Sequence, residues 1–307
     1  MFFTETAAWQ DLGAGILAEL SARFADQGMT PDCFGLVVVA PGADGPEGFA
    51  YRADWPCYPC SLVKSFHLIH ALALLETGRI TAHGELDRAM RDMIRWSSNT
   101  ATNYVIDLIT GTTGDTLLEG AEYLDWVNKR EKLNRFFWEM GWTEWQGSTI
   151  SQKLMDDTRY GREAQFAGHD GANLNRLTPL AAARLFWQLF HDDLPMSGPT
   201  RARAQAILRR DPRSADAADP NYQLSEYLGS DLPLDAQIWS KAGHNLWTGD
   251  PRTSWYKHDM IRLTAPDRKP LIAVLMTQGQ GLAESHPQAF PQIGRLIWDV
   301  TKEISHV

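Results

Sequence analysis

The residues best suited to chemistry in this chain are Ser61 and Lys64, in the stretch Cys57-Tyr58-Pro59-Cys60-Ser61-Leu62-Val63-Lys64. Pro59 disfavours helix at the residue before it and cannot donate a backbone hydrogen bond. Past it, good helix formers run to Gly78, a C-terminal stop. Spacing of i and i+3 puts Ser61 and Lys64 on one face of the first turn. A serine hydroxyl attacks a carbonyl only when something removes its proton, and a lysine kept neutral by burial can do that. The amides of a helix start favour negative charge on whatever approaches. An isolated S-x-x-K is common on solvated helix starts. This helix carries Leu62, Val63, Phe66, Leu68, Ile69, Leu72, Leu74 and Leu75, apolar almost all round, so it must be buried and its lysine needs a reason.

Two further groups have less meaning alone. Ser97-Ser98-Asn99-Thr100-Ala101-Thr102-Asn103 reads as a helix N-cap, and Lys241-Ala242-Gly243 as a strand-end lysine before a turn glycine. Cys57 and Cys60 have the spacing of a thiol redox pair, but Asp54-Trp55-Pro56 makes a poor strand end before them. A packed small residue beside Ser61 is the favoured reading of Cys60. The nine histidines show no metal-ligand spacing, and no cofactor is implied.

The elements that must position these groups come from both ends of the chain. An amphipathic helix runs from about Thr6 to Asp26. Gly35 to Ala40 is a buried strand, and Gly48 to Arg52 its hairpin partner. Helices follow over Leu86–Trp96, Thr100–Ile109 and Leu124–Met140. A loop from about Ser148 to Leu177 is too long for a mere connector. Further helices run from Thr178-Pro179 to about Phe190 and from Thr200 to Arg210. Strands over Ala236–Gly243, Thr253–Leu263 and Leu271–Met276 precede a closing helix, Pro287–Ile304. The expected fold is α+β: a five-stranded antiparallel sheet flanked by N- and C-terminal helices, with an all-helical lobe inserted. Residues 1–60 and 211–307 form the sheet lobe, and residues 61–210 the helical one.

With 307 residues there is room for a substantial core. A net charge of −9 with no basic cluster argues against nucleic acid or an anionic membrane as partner. No stretch approaches the length of a membrane span. The start has no basic, apolar leader and the cysteine count is odd, so the cytoplasm is the expected compartment; a trimmed leader would imply export instead. The expected partner is a small-molecule substrate, with no expectation for oligomeric state.

Taken together and in order, S-x-x-K, S-x-N and K-x-G resemble the three signatures of serine β-lactamases and penicillin-binding proteins, the class A branch most closely. The run Ser98 to Asn103 is similar to the family's S-D-N-T-A-x-N. Leu133 to Gly141 resembles its helix ending in Met-Gly, and Leu177-Thr178-Pro179 the opening of the helix after its Ω loop. The resemblance implies an acyl-enzyme on Ser61, with Lys64 as its base. Ser97 would pass a proton to the leaving nitrogen, Asn99 would hold a substrate amide, and Lys241 would supply charge. The backbone of Ser61 and His244 would form the oxyanion hole beside Gly243. Ala242 departs from the family's Ser or Thr, leaving Arg252 and His244 to meet a substrate carboxylate, with a solvated turn residue as the alternative for Arg252. Ser98 replaces its Asp. Glu163, sixteen residues before Pro179, is the candidate deacylating base, with a solvated charge as the alternative; Gln165, His169 and Asp170 are lesser candidates. Four residues past Glu163 stands Ala167 where the family has Asn. The interval from Lys64 to Ser97 is short, which would open one wall of the cleft. Trp96, Trp239, Trp247 and Trp255 either line that cleft or pack in the core. The expected activity is hydrolysis of an amide, β-lactam-type bond. An amidase, peptidase or esterase, or a binder without turnover, are the alternatives on the same scaffold.

Overall fold

The computed structural model describes residues 1–155, 158–191 and 193–302. Helix α1 (Ala7–Phe24) is capped by Thr6 and leads to the hairpin β1 (Phe34–Pro41) and β2 (Pro46–Tyr51). Helix α2 (Val63–Glu76) follows, and then α3 (Gly84–Arg95), α4 (Asn99–Thr110), α5 (Gly120–Arg130), α6 (Lys132–Trp138), α7 (Gly161–Ala167), α8 (Pro179–Phe190) and α9 (Gly198–Leu208). The chain returns to the sheet through β3 (Arg209–Arg210), β4 (Gln237–Asn245), β5 (Tyr256–Ala265) and β6 (Arg268–Gln278), and ends in α10 (Ala289–Val300).

The sheet is antiparallel in the order β2-β1-β6-β5-β4-β3, with six strands where five were expected. The extra one is Arg209–Arg210, read from the sequence as a helix end. The two residues pair with Trp239 and Ile238, and Arg210 donates to the carbonyls of Ile94 and Arg95. A pairing this short is set by the neighbouring strand, and no local propensity announces it. The expected helix Leu124–Met140 is two helices broken at Glu131, where Arg130 turns inward and the Glu131 carboxylate accepts from the Asn134 amide. The last residues of the expected closing helix, 303 and 304, lie outside the described residues.

The continuous apolar run of β1 has a simple cause: both faces of the sheet are covered. Val37 and Val39 pack with α2, α3, α4 and α8 on one face, and Leu36 and Val38 with α1 and α10 on the other. In β6, Ile272, Val274 and Met276 go to the first side, and Leu271, Ala273 and Leu275 to the second. Helix α2 is the hub of the helical layer. Every residue from Val63 to Leu74 is buried, including Lys64, His67 and His70.

Burial keeps three histidines neutral. His67 and His70 are both pushed down to about 3, and His258 to about 4, each by desolvation first. His258 is held as one tautomer, since its Nδ1 accepts from Thr277 N–H while Nε2–H donates to the Tyr58 carbonyl at 2.8 Å. In the unfolded chain these imidazoles take a proton near 6.5, so below that pH the unfolded state binds more protons than the fold. Their contribution to stability is therefore present above about 6.5 and lost as pH falls toward 4. We expect the Tm to drop steadily across that window, and His67→Leu to flatten the drop; thermal melts at stepped pH measure both.

Candidate active site

Ser61 lies in a 3-10 turn, Cys60–Leu62, that feeds α2, one step earlier than the helical turn the sequence implied. Cys60 holds φ at +48° and Ser97 at +52°. Left-handed backbone at a non-glycine residue costs of order 1–3 kcal/mol and persists only where the surroundings impose it. Both residues line one cavity of about 210 Å³ together with Ser61, Trp96, Asn99 and His244.

The two lysines converge on Ser97. Lys64 Nζ donates to Ser97 Oγ at 3.2 Å, to Asn99 Oδ1 at 2.7 Å and to the Ser97 carbonyl. Lys241 Nζ donates to the same Ser97 Oγ at 3.0 Å and to Gln223 Oε1. Both amines are fully buried. Burial, then the charges of Lys64 and Arg210, hold the Lys241 pKa well below the ordinary lysine value. Ser97 Oγ thus sits between two amines, with its own proton left to give away. Ser98 keeps the cap that the turn requires, accepting from Ala101 N–H at 3.1 Å.

Strand β4 closes the other side. A Cβ on Gly243 would fall 2.6 Å from Ser61 N and 2.9 Å from Cys60 Cβ, so only glycine lets this strand lie against the serine turn. That contact brings the backbone of His244 to the rim beside Ser61; both residues line the cavity. The His244 ring turns to the Ala283 carbonyl, 3.1 Å from Nε2. Ala242 is wholly buried in the apolar core beneath α1 and α10.

Two expected site residues stand elsewhere. Glu163 is buried in an ion pair with Arg130, 2.6 Å apart, and its second oxygen accepts from Lys153 N–H at 3.1 Å. It does not line the Ser61 cavity. Arg252 is half-exposed and clasps Asp250 through Nε and Nη2, at 2.8 Å for the latter. The first commitment is not local enough to read from the sequence, since Arg130 lies 33 residues before its partner; the second joins residues two apart, and what the structure adds is that the guanidinium folds back on that neighbour. Of the tryptophans, Trp96 lines the cavity, whereas Trp239 packs on Phe190 and Arg262.

The loop from Ser148 to Leu177 is fastened down and carries the short helix α7. Asn103 of the S-x-N run exchanges two hydrogen bonds with Leu154, which lines the cavity. Asn134 accepts from Ile150 N–H at 2.8 Å, and Asn175 and Gln152 bond reciprocally. Lys153 pairs with Asp107 at 2.7 Å. Sequence reasoning missed Gln223, which has no motif around it, and Tyr58, three residues before Ser61, whose ring lines the same cavity. A larger cavity, about 950 Å³, lies at the far end of α2 and contains none of the motif residues.

A family model described as "Beta-lactamase enzyme family" matches residues 82–301, which includes Ser97 and Lys241 and begins after Lys64. Among solved structures, a β-lactamase from Sphaerobacter thermophilus is similar at 20% identity and a TM-score of 0.64, covering 94% of this chain and 96% of its own. A β-lactamase from Chitinophaga pinensis gives 14% identity and 0.64, covering 94% and 100%. PBP-A gives 16% identity and 0.63, covering 98% of each chain; a mutant of it is known as an acyl-enzyme complex with penicillin G. No curated protein matches in sequence.

Two outcomes follow from the geometry. Gly243→Ala must push the strand off the Ser61 turn, and a misplacement near 1 Å costs on the order of 100-fold in rate; hydrolysis kinetics on the folded variant measure this. Glu163→Gln leaves the Arg130 guanidinium buried and unmatched, a loss of about 3–5 kcal/mol in stability. Denaturant melts should show that loss.

Proposed function

The chain belongs to the beta-lactamase enzyme family, and from that premise we propose that it is an active-site serine hydrolase working through an acyl-enzyme on Ser61. The observation that carries this reading is Ser97 Oγ shared between Lys64 and Lys241 at the wall of the Ser61 cavity.

In the acylation step the Ser61 hydroxyl passes its proton to neutral Lys64 Nζ as its oxygen attacks the carbonyl carbon of a small-molecule amide. The amides of Ser61 and His244 take the developing negative charge. The C–N bond then breaks, Ser97 Oγ–H delivers a proton to the leaving nitrogen, and the lysine proton returns to Ser97. Asn99 holds the substrate amide. Water splits the resulting ester and restores Ser61. Lys241, on the far side of Ser97, steadies the oxygen while its proton is away. The substrate class is a β-lactam-type amide.

A second reading, an amidase or esterase without β-lactam preference, is favoured by the carboxylate-recognition positions. Ala242 offers no hydroxyl and is buried, and the Arg252 guanidinium is taken up by Asp250.

Incubating intact protein with penicillins, carbapenems, activated esters and a fluorophosphonate, and weighing it, separates the readings. A stoichiometric adduct on Ser61 that disappears in Ser61→Ala is expected. A folded wild type that no probe labels would overturn the acyl-enzyme reading and leave a binder. Adducts from esters but not from β-lactams would select the second reading.

A further inference from the structure

Beyond the Ser61 cavity lies a second, contiguous one of about 720 Å³, sharing Tyr58, Asn99, Met155, His244 and Asn245 with the first. Its remaining wall is formed by Thr158 and Arg159 of the long loop and by residues 246–250 and Thr253 after β4. Trp247 stands open there, 57% exposed, with its ring 6.4 Å from that of Trp255.

The charges around this cavity are unequal. Asp250 lines it, but three donors of Arg252 bind its carboxylate, its backbone N–H, Nε and Nη2, and Arg252 holds the Asp250 pKa below the usual range. Lys64 and Lys241 both donate to Ser97, deeper in the fold. Arg159 is in another situation. Among the described residues no carboxylate lies within ion-pair distance of it. Its Nη2 donates to Tyr58 Oη at 3.3 Å, its guanidinium stands 5.8 Å from the Tyr58 ring centroid, and its buried Nε has no hydrogen-bond partner. A half-buried guanidinium held by a phenol, with a donor unused, is a ready partner for a planar anion. Tyr58 is itself fixed, buried and bonded through its carbonyl to His258.

We propose that Arg159 is a specificity-determining residue, binding a carboxylate that the substrate carries remote from its scissile bond. The substrates are then acyl donors with an anionic arm, whose apolar length lies along Trp247 and whose end reaches Arg159. The assignment rests on the acyl-enzyme reading above for the reaction. It moves the recognition of substrate charge from Arg252, past β4, to Arg159 of the long loop.

The test uses two p-nitrophenyl esters on the full chain, one with a terminal carboxylate on its acyl arm and the other its methyl ester. The wild type should acylate with the carboxylate about tenfold or more faster. Arg159→Met should bring that ratio close to one, and Arg159→Lys should keep much of it. A purely structural role for Arg159 would lower both rates together and preserve the ratio, which would overturn the proposal. Binding of the same pair to Ser61→Ala, with and without Arg159→Met, reads the site without any reaction. Tighter carboxylate binding that depends on Arg159 supports the site even where Ser61 takes up no adduct, and equal binding of acid and ester overturns it whether or not Ser61 is acylated.

Discussion

Two amines donating to one hydroxyl is the constraint around which this molecule is arranged. Lys64 and Lys241 are fully buried, and each is brought to Ser97 Oγ by a different layer of the fold. Burial, and then the charge of Lys64 beside it, hold the Lys241 pKa well below the ordinary lysine value. Helix α2 holds its lysine by being packed on every side, and β4 holds its own by pairing along its whole length with β5. Neither element has freedom to relieve the repulsion by moving away.

The meeting of the layers is tight enough to strain the chain. Left-handed backbone at Cys60 and Ser97 occurs on both sides of the cavity, and Gly243 has no room for a Cβ against Ser61 N. Such conformations survive where the packing around them has no alternative. Here the surroundings include the most buried parts of the protein, α2 and the centre of the sheet. The rigidity of the core is thereby passed to groups that must be placed to a fraction of an ångström.

The long loop contributes differently. It is bound to the helical layer through the polar side chains of Asn103 and Asn134 and the Arg130–Glu163 ion pair, with Asn175 tying it to itself, alongside the apolar Ile150, Leu154 and Leu177 that it gives to the core. Each of these satisfies backbone or charge that burial would otherwise leave unpaired. The carboxylate that looked available for chemistry is spent on this fastening. The same loop puts Arg159 on the cavity wall, where its guanidinium is held by the Tyr58 hydroxyl.

What the sequence determined by itself was whatever is encoded within a few residues. The i, i+3 spacing of Ser61 and Lys64 and the unbroken apolar helix behind them specify a serine at a helix start with a buried lysine one turn on. The alternation and runs of the strands specify a sheet covered on both faces, and Ser98 and Thr178-Pro179 mark helix starts that the structure has. Three short motifs, each ambiguous alone, gave the family in combination. What only the tertiary structure decided was which partner each charged side chain takes. Glu163 could face water or Arg130, and Arg209–Arg210 could end a helix or edge a sheet. These outcomes turn on side chains and strands brought together by folding, and a charge takes its role from the nearest opposite charge in space, a distance that sequence spacing does not carry.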